Sequence, residues 1–598
     1  MTDEVCDVII SGYGPVGVIT ANLLGRYGLS VKVFERDWDV YNLGPRAVAI
    51  DSECTRIFGM FDLDTWLDNH VIKTGIGITT DAPPRGTILV NGTSENKRIT
   101  EEDRKQYGYQ RLSFFNQPLV ERRLREHIKE CPNVKVFLGH EIVNDQHVNE
   151  NQVEVQVRKV EDDTVEKHTC KYLLVCEGGR SETRKRHGLK YIGSSYKERW
   201  LVLDTTHNDQ KLKERLKNFW FVTNSQRVLV LVPLPDNTQR FEYLLNDDED
   251  SEKSCEEKET SKFFKSIEVD PSKLKFKRRI VYTFHARQIE HWTDGNVIFL
   301  GDAAHCTPPF RGQGLCTGIK DAANLAWKLT LAVKGNLSTV QSSKPMHRVE
   351  IDGQNLLQSF ERERCDDVWI MTMHAITIGK LLTLRNPLLV FLRNVIVWAV
   401  FHAPITRQLI EKDQIKPCFQ ISEGILDGKS SCTGSMFPQP KVFLYANNQS
   451  VLLDKVLGNG FSVLMYNRSL QIDVGIHSAI LQPLNAKLIC VYSDEISARR
   501  KVKLASSTVI DVVDTSGELG TWFGKYRSDA VIVRPDRIIF GHCKAENINY
   551  LIEDLGHMIS GKKPWGIYWW IETKQTIIRL IFAALIVVVF IIISKMFM

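Results

Sequence analysis

The chain has 598 residues, 43% of them hydrophobic and 25% charged, which suits a protein with a sizeable core and predicts about three domains. The formal net charge is only +5 and no basic stripe with interleaved aromatic residues occurs, which argues against a nucleic-acid partner. The 13 cysteines form no CxxC pair and no Cys/His cluster, so we predict no disulfide framework, no redox dithiol and no metal site.

A glycine-rich loop follows the first predicted strand, at residues 8–10. Its GxGxxG pattern consists of Gly12, Gly14 and Gly17 and encloses Pro15 and Val16. Gly12 permits the tight turn, Gly14 lets a pyrophosphate approach the backbone, and Gly17 lets the next helix pack closely on the strand. Phosphates would lie at the helix N-terminus, where free N–H groups favour negative charge.

The second predicted strand, at 31–34, ends in an acidic residue. Glu35 lies about 20 residues after the glycines and can accept hydrogen bonds from an adenosine ribose. Arg36, next in the chain, is a further candidate contact to the cofactor. Strand, loop, helix, strand and acid follow the order of a dinucleotide-binding βαβ unit, which does not by itself distinguish FAD from NAD.

Patterns of apolar residues divide the rest of the chain. We predict a first part of the nucleotide-binding domain at 1–190, a sheet domain at 191–285, a second part with helices at 286–415, a domain of alternating strands and helices at 430–555, and a membrane anchor at 577–595. The sheet is predicted from strand-like runs at 199–203, 227–232 and 241–245. The acidic stretch at 247–259 is predicted to be a solvated surface insertion.

A second group of motif residues lies at 295–318, where a predicted strand leads into a Pro/Gly loop and a new helix. Asp302, at the end of the strand, is well placed to hold a sugar-alcohol hydroxyl group. Gly312 and Gly314 allow close approach to the backbone at the next helix N-terminus, which can stabilise negative charge developing on a flavin ring.

The C-terminal residues predict a single-pass membrane anchor. Residues 580–593 are all apolar and 577–578 extend the run past Arg579. If the Arg579 side chain snorkels to the boundary, the run reaches the lower length limit of a spanning helix, about 17 residues. Aromatic residues precede the run as an interfacial belt would, and basic residues lie mainly before it. We therefore expect the catalytic part to face the cytosol, at the endoplasmic reticulum or the mitochondrial outer membrane.

The chain resembles one known family over nearly its whole length before this anchor. The motifs are GYGPVG at 12–17, GPRAVAID at 44–51, FNQPLVE at 115–121, CEGGRS at 176–181, RWLVLD at 199–204, VYTFHAR at 281–287, GDAAHCTPPFRGQG at 301–314 and FPQP at 437–440. They resemble class A flavin monooxygenases, aromatic hydroxylases of the para-hydroxybenzoate hydroxylase fold, and most of all the 3-(3-hydroxyphenyl)propionate hydroxylases. The expected fold is α/β: a Rossmann-like FAD-binding domain with an inserted β-sheet substrate domain, a thioredoxin-like C-terminal domain and a C-terminal transmembrane helix.

The resemblance implies roles for matching residues. Arg46 would contact FAD near its phosphates or flavin edge, Gln117 would lie along the ribityl chain, and Asp302 would bind the ribityl hydroxyls. The residues implied at the flavin edge are Pro309, Gly312, Gly314 and Leu315. Two positions depart from the family: Glu177 replaces an Asp in the segment that serves FAD and the reducing nucleotide, and Cys316 replaces the Asn of many relatives.

The resemblance also implies the reaction. NAD(P)H, bound transiently as a co-substrate, would reduce FAD, and O₂ would give a flavin hydroperoxide that transfers oxygen to a small phenolic or other aromatic substrate. His285 and Arg287 are candidates for favouring the phenolate, and both equally suit a structural role at a strand end. The section at 430–555 resembles the thioredoxin-like domain of phenol hydroxylase relatives and is expected to be redox-inert because it lacks CxxC.

Two other functions stay open from the sequence. A flavoprotein of the same fold could act on a lipid or a quinone, which the predicted anchor favours, or an inert membrane-tethered protein could keep FAD for structure. The compounds that stimulate NAD(P)H oxidation distinguish the three functions. Phenols would indicate the aromatic hydroxylase, lipids or quinones would indicate the second function, and no stimulation by either would indicate the inert protein. A homodimer is also left open.

Overall fold

The computed structural model of the protein describes residues 5–567 apart from 42–45, 84–85, 91–106, 225, 336–349, 403–419, 430–431, 445–446, 468–471, 474–475 and 495–508. The predicted anchor at 577–595 lies outside the described residues. Within them no single helix is long and apolar enough to cross a membrane, and one helix pair meets that test only when joined across a bend of 117°.

Strands and helices are numbered in chain order. The strands are β1 (Cys6–Ser11), β2 (Val31–Glu35), β3 (Ala49–Asp51), β4 (Ile76–Thr79), β5 (Ile88–Val90), β6 (Leu112–Phe114), β7 (Val134–Leu138), β8 (His140–Asn149), β9 (Gln152–Lys159), β10 (Val165–Val175), β11 (Tyr191–Thr206), β12 (Phe219–Thr223), β13 (Val228–Leu234), β14 (Thr238–Leu244), β15 (Lys275–Ile289), β16 (Thr293–Asp294), β17 (Val297–Phe299), β18 (His305–Cys306), β19 (Glu423–Gly424), β20 (Lys441–Leu444), β21 (Gln449–Leu452), β22 (Ser462–Tyr466), β23 (Lys487–Tyr492), β24 (Val509–Val513), β25 (Ala530–Val533), β26 (Ile539–Cys543) and β27 (Gly566–Ile567). The helices are α1 (Pro15–Arg26), α2 (Ser52–Gly59), α3 (Asp64–Asn69), α4 (Gln117–His127), α5 (Glu182–Arg186), α6 (Gln210–Arg215), α7 (Ser251–Ser254), α8 (Glu257–Ser266), α9 (Gly314–Lys334), α10 (Gly353–Leu382), α11 (Pro387–His402), α12 (Leu453–Leu457), α13 (Glu518–Tyr526) and α14 (Ile548–Ile559).

The first sheet is the Rossmann-like core. Strands β17, β10, β1, β2 and β7 are parallel neighbours in that order, β16 pairs antiparallel with β17, and the hairpin β8–β9 joins the N-terminal half of β10. The parallel strands are continuous apolar runs because helices cover them: Val8, Ile9 and Ile10 of β1 have no exposed surface. The strands at 8–10, 31–34 and 297–300 were predicted, and the structure confirms them.

The second sheet is built around the segment 191–285, which was predicted to form a separate sheet domain. Its order is β18–β15–β11–β14–β13–β12–β4–β5, antiparallel except for the parallel pair β12–β4. The strands of 191–285 form its centre, and β4, β5 and β18 join from outside that range. One face packs against helix α8 through Phe263 and Phe264, so a helix that begins within the stretch at 247–259 covers the back of the sheet. The other face, bearing Trp200 and Val230, turns towards the first sheet.

The C-terminal part contains a third sheet. Its order is β21–β20–β24–β23–β22–β25–β26, with β22, β23 and β24 parallel and β25 and β26 antiparallel. The thioredoxin-like assignment stays a prediction, which the run β23–β22–β25–β26 supports. Cys490 on β23 and Cys543 on β26 are separated by two strands, about 14 Å at the usual strand spacing, which is too far for a disulfide.

A buried charge network joins this third domain to the core. Both carboxylate oxygens of Glu363 on α10 accept hydrogen bonds from Arg534, at 2.7 and 3.0 Å. Lys328 and Asn324 on α9 also contact Glu363, at 2.9 and 2.7 Å, and Arg534 contacts Asp536 at 2.6 Å. Because these side chains are almost fully buried, each charge depends on its partners for stabilisation.

Candidate active site

One cavity of about 580 Å³ lies between the C-terminal ends of the Rossmann strands and the inner face of the second sheet. All the predicted cofactor-binding residues except Gly17 line it: Gly12, Gly14, Pro15, Val16, Glu35, Arg36, Arg46, Gln117, Glu177, Asp302, Pro309, Gly312, Gly314 and Leu315. The structure therefore brings together residues that lie as far apart in the sequence as Gly12 and Leu315.

The glycine loop is shaped as the sequence predicts. Gly12 has a φ of +94°, and a Cβ there would lie 2.7 Å from the carbonyl oxygen of Cys176. A Cβ on Gly17 would lie 2.1 Å from the carbonyl oxygen of Gly12, so Gly17 acts through packing rather than by lining the cavity. A Cβ on Gly14 would meet nothing within 4 Å, and α1 begins one residue later, so the space at the helix N-terminus is open to a phosphate.

The two motif loops meet at one side chain. A Cβ on Gly301 would lie 2.9 Å from Cγ2 of Val16, and a Cβ on Gly318 would lie 2.6 Å from the same atom. The absence of side chains at Gly301 and Gly318 therefore lets the loop after β17 and the helix α9 close over the start of α1.

Glu35 and Glu177 hold backbone segments around the cavity. Glu35 accepts hydrogen bonds from the N–H groups of Tyr13 and Asp37, at 2.7 and 3.0 Å. The carboxylate of Glu177 accepts from the hydroxyls of Ser11, Ser181 and Thr183, each at 2.6 Å. Glu177 thus joins the end of β1 to the start of α5, a use of its longer side chain that the sequence did not reveal.

Asp302 presents its carboxylate to the cavity. No described residue donates a hydrogen bond to its side chain, while its backbone carbonyl accepts from the hydroxyl of Tyr191 at 2.6 Å. Desolvation by the protein atoms that surround the cavity raises the pKa of Asp302, although His305 and Arg46 oppose this rise. An acceptor held without a partner in a cavity is what a ligand hydroxyl requires.

A buried ion pair fixes the loop behind Asp302. His305 contacts Asp321 at 2.7 Å, and Asp321 also accepts from Arg364 at 2.8 Å. The N–H of Gly301 donates to the same Asp321 carboxylate at 3.2 Å. His305 therefore stabilises the loop, which is the structural role that its position suggests, and it does not line the cavity.

The loop before α9 forms another wall. Gly312 has a φ of +64° and closes the turn Pro309–Arg311, and α9 then begins at Gly314. The side-chain oxygen of Gln117 accepts from the N–H groups of Arg46 and Ala47, at 3.0 and 2.8 Å, so Gln117 shapes the cavity as well as lining it. Cys316 is buried with its thiol towards backbone carbonyls, the nearest at 3.8 Å, and does not reach the cavity.

Where the second sheet forms its wall, the cavity is lined by aromatic side chains and by one pair of charged residues. The aromatic lining residues there are Phe114, Trp200, Phe219, Phe221, Tyr282, Phe284 and Phe310. Arg240 and Glu242 of β14 line the same end, 3.6 Å apart, and Arg240 pairs with the buried Asp204 at 2.7 Å. Burial raises the pKa of Glu242, and Arg240 opposes that rise. This pair was not predicted from the sequence.

His285 and Arg287 are not brought to the cavity. Residues alternate between the two faces of a strand, and on β15 the cavity-facing positions are Tyr282 and Phe284. His285 instead contacts the hydroxyl of Ser195 at 3.2 Å, and Arg287 contacts the same oxygen. Their role in substrate activation stays a prediction that this geometry does not favour.

Comparisons with known proteins agree with this geometry. A family model described as FAD binding domain matches residues 5–340, and one described as HcaD C-terminal domain matches 434–558. A 3-(3-hydroxy-phenyl)propionate/3-hydroxycinnamic acid hydroxylase of Burkholderia cenocepacia (strain HI2424) is 30% identical over 537 residues, covering 89% of this chain and 93% of the relative. The enzyme of the same name from Mycolicibacterium gilvum (strain PYR-GCK) is 27% identical over 574 residues, 94% of each chain.

Solved structures show the same fold. The flavin-dependent monooxygenase PieE, solved with FAD and substrate, has a TM-score of 0.73 at 18% identity and covers 94% of this chain and 100% of its own. Aklavinone-11 hydroxylase, solved with FAD and aklavinone, has a TM-score of 0.71 at 15% identity, with 93% and 99% coverage.

The fold and these matches define a FAD-dependent aromatic hydroxylase, a class of monooxygenase. The chain belongs to the FAD-binding family that contains the 3-(3-hydroxyphenyl)propionate hydroxylases. FAD, reduced by a pyridine nucleotide as is typical of this family, supplies the activation of O₂. The residues present fit the cofactor, because an open helix N-terminus and a carboxylate that accepts no hydrogen bond from the described residues face one continuous cavity.

Proposed function

We propose that FAD lies between Gly14 and Asp302 and that a phenolic or other aromatic small molecule binds against the aromatic end of the cavity and is hydroxylated there at the expense of NAD(P)H and O₂. This proposal rests on the observation that one cavity is lined by the glycine loop, Asp302 and the aromatic residues of the second sheet. The protein orients the ring and excludes water from the reacting atoms.

Purified protein tests this proposal. We expect a yellow protein whose NAD(P)H oxidation rises with added phenols and yields a product heavier by one oxygen atom, with little peroxide. Stimulation only by lipids or quinones would favour the second function, and FAD without nucleotide oxidation would favour the inert protein. Protein that stays colourless after reconstitution with FAD would contradict all three.

The Arg240–Glu242 pair is our candidate for orienting the substrate hydroxyl. Glu242 faces the cavity with Arg240 beside it, and a carboxylate there can accept the proton that a phenol loses as its ring becomes electron-rich. In this proposal the pair takes the role that was predicted for His285 and Arg287.

Replacing Glu242 with glutamine is expected to lower kcat/KM for phenolic substrates by about 100-fold or more, the usual effect of losing an acid–base group. FAD content should not change, since glutamine keeps the size of the side chain and Glu242 is not among the residues predicted to bind FAD. His285→Ala is the matched control on the opposite face of the sheet and should leave kcat/KM within about threefold. Steady-state kinetics across pH check both, and equal losses in the two variants would contradict the assignment.

We also propose that residues 577–595 anchor the chain in a membrane, with the catalytic part in the cytosol. The support is the uninterrupted apolar run at 580–593 and the length that it provides. Retention of the full-length protein in the membrane pellet after an alkaline carbonate wash tests this, and release into the supernatant would contradict it.

A further inference from the structure

Helix α11 presents an apolar face at the surface of the protein. Leu388, Phe391 and Trp398 have exposed fractions of 60%, 61% and 49%, and Val395 is exposed at 46%. These four positions recur at spacings of three and four, which places them on one face of the helix. Exposed apolar side chains grouped in this way mark a surface that contacts a partner or a lipid phase.

The charged side chain of this helix points inwards. Arg393 is 3% exposed, and its guanidinium donates to the carbonyl oxygens of Leu382 and Thr223 at 3.2 and 2.7 Å. Burial lowers its pKa to about 10, so the side chain is still a cation at neutral pH. The arginine thus attaches α11 to β12 and leaves its outer face without a charge.

Helix α10 extends the same surface. Trp369 and Met373 are exposed at 38% and 41%, on the helix face that also carries Arg362 and the exposed Lys380. Leu381, exposed at 41%, lies beside that face. The bend of 117° between α10 and α11 cannot belong to a membrane span, because α10 also carries the buried, paired Glu363.

The last described residues lie at the start of this stripe. Ile567 pairs with Glu423 across β27 and β19, and Glu423 accepts from Arg362 at 2.7 Å. From Arg362 to Leu381 the helix rises about 28 Å. Residues 568–576, when extended, reach about 30 Å. An anchor that begins at 577 can therefore enter a bilayer anywhere along the exposed surface of α10 and α11.

We propose that the outer face of α11, with Trp369, Met373 and Leu381 of α10, docks on the surface of the bilayer that the C-terminal anchor enters. This docking rests on the proposed anchor. The position of Ile567, the last described residue, favours lipid over a second copy of the chain, since the anchor would hold this largely apolar face near the membrane. Phe391 and Trp398 suit the boundary between headgroups and acyl chains.

Docking would orient the cavity. Arg393 ties α11 to Thr223 on β12, the strand whose Phe219 and Phe221 line the aromatic end. On α10, Gly379 packs against the ring of Phe310, since a Cβ there would lie 2.4 Å from it. The aromatic end therefore lies on the side of the membrane, and an apolar aromatic substrate dissolved in the bilayer is the class that this arrangement favours.

Photo-crosslinking in full-length protein tests the docking. The FAD-loaded protein is reconstituted into phosphatidylcholine vesicles with a benzophenone amino acid at position 391, or as a matched control at position 550, where Tyr550 is 70% exposed on the C-terminal domain. Flavin absorbance verifies that each variant is folded. We expect lipid adducts at 391 at least tenfold above those at 550, measured by mass spectrometry.

The outcomes separate the two proposals. Vesicle flotation without lipid adducts at 391 would overturn the docking and leave the anchor intact. Failure to float would overturn both. Adducts at 391 to a second copy of the chain would replace the docking surface by a homodimer interface. In none of these cases does the result depend on turnover, so the proposed hydroxylation is tested separately.

Discussion

Replacing Gly14 with valine is expected to yield a folded protein that has lost FAD. Apart from its chain neighbours, a Cβ at this position meets no atom of the described residues within 4 Å, and the backbone, with φ −70° and ψ −172°, is extended and accepts a β-branched residue. The added methyl groups would instead occupy the space above the N-terminus of α1, where the pyrophosphate is proposed to lie. We expect FAD affinity to fall by at least about 100-fold, or about 2.7 kcal/mol.

Flavin absorbance of the purified protein and titration of the apoprotein with FAD measure this effect, and circular dichroism tests the fold. Gly17→Ala is the informative comparison, because its Cβ would lie 2.1 Å from a backbone oxygen and should disturb the packing of the helix itself. A yellow Gly14→Val protein with normal affinity would show that the cofactor does not approach this loop.

Among the single substitutions proposed as tests, replacing Glu363 with leucine is expected to lower the free energy of unfolding most. The change leaves Arg534 and Lys328 buried without their shared carboxylate, and removing one partner of a buried pair costs about 3–5 kcal/mol. Thermal or urea unfolding of the FAD-loaded protein measures the change. In the double variant with Arg534→Met the loss should be smaller than the sum of the single losses, and additive losses would contradict a coupled network.

The ion pairs of Glu363 also predict that the free energy of unfolding depends on pH. Burial opposes the ionisation of Glu363, but Arg534 and Lys328 outweigh it and lower the pKa to about 2 from the ordinary 4.5. A depressed carboxyl pKa stabilises the fold above the unfolded value and loses this effect as pH falls through the folded value. The difference in the free energy of unfolding between the native chain and Glu363→Gln should therefore be constant near neutral pH. It should become smaller as the pH falls from about 4.5 to 2.

Local patterns were enough to predict the core of the fold and the cofactor loops. The glycine spacing at 12–17 and the strand–loop–helix at 295–318 depend on neighbours in sequence, and the structure brings Gly14 and Asp302 to one cavity. The family resemblance supplied the pairing of the two segments, because nothing local in either states where the other lies.

Other features depend on contacts that no local pattern carries. Strand β4 pairs with β12 but has only four residues. Four residues are too few to show the alternation of apolar and polar side chains that predicts a strand. Glu363 and Arg534 lie 171 positions apart. A signal for Arg240 and Glu242 was present, since they alternate with the buried Phe241 and Tyr243 in β14, which marks two charged positions on one face of the strand.

The contact of Val16 with Gly301 and Gly318 has a consequence for synthesis of the chain on the ribosome. The N-terminal loop emerges early, but its partner glycines are translated about 300 residues later, and β17, the neighbour of β10, emerges only just before them. Until then the nascent polypeptide exposes a sheet edge able to pair with other chains. FAD can therefore bind only after the residues up to Gly318 have been translated. Chaperones are most needed before that point, while the sheet edge is exposed.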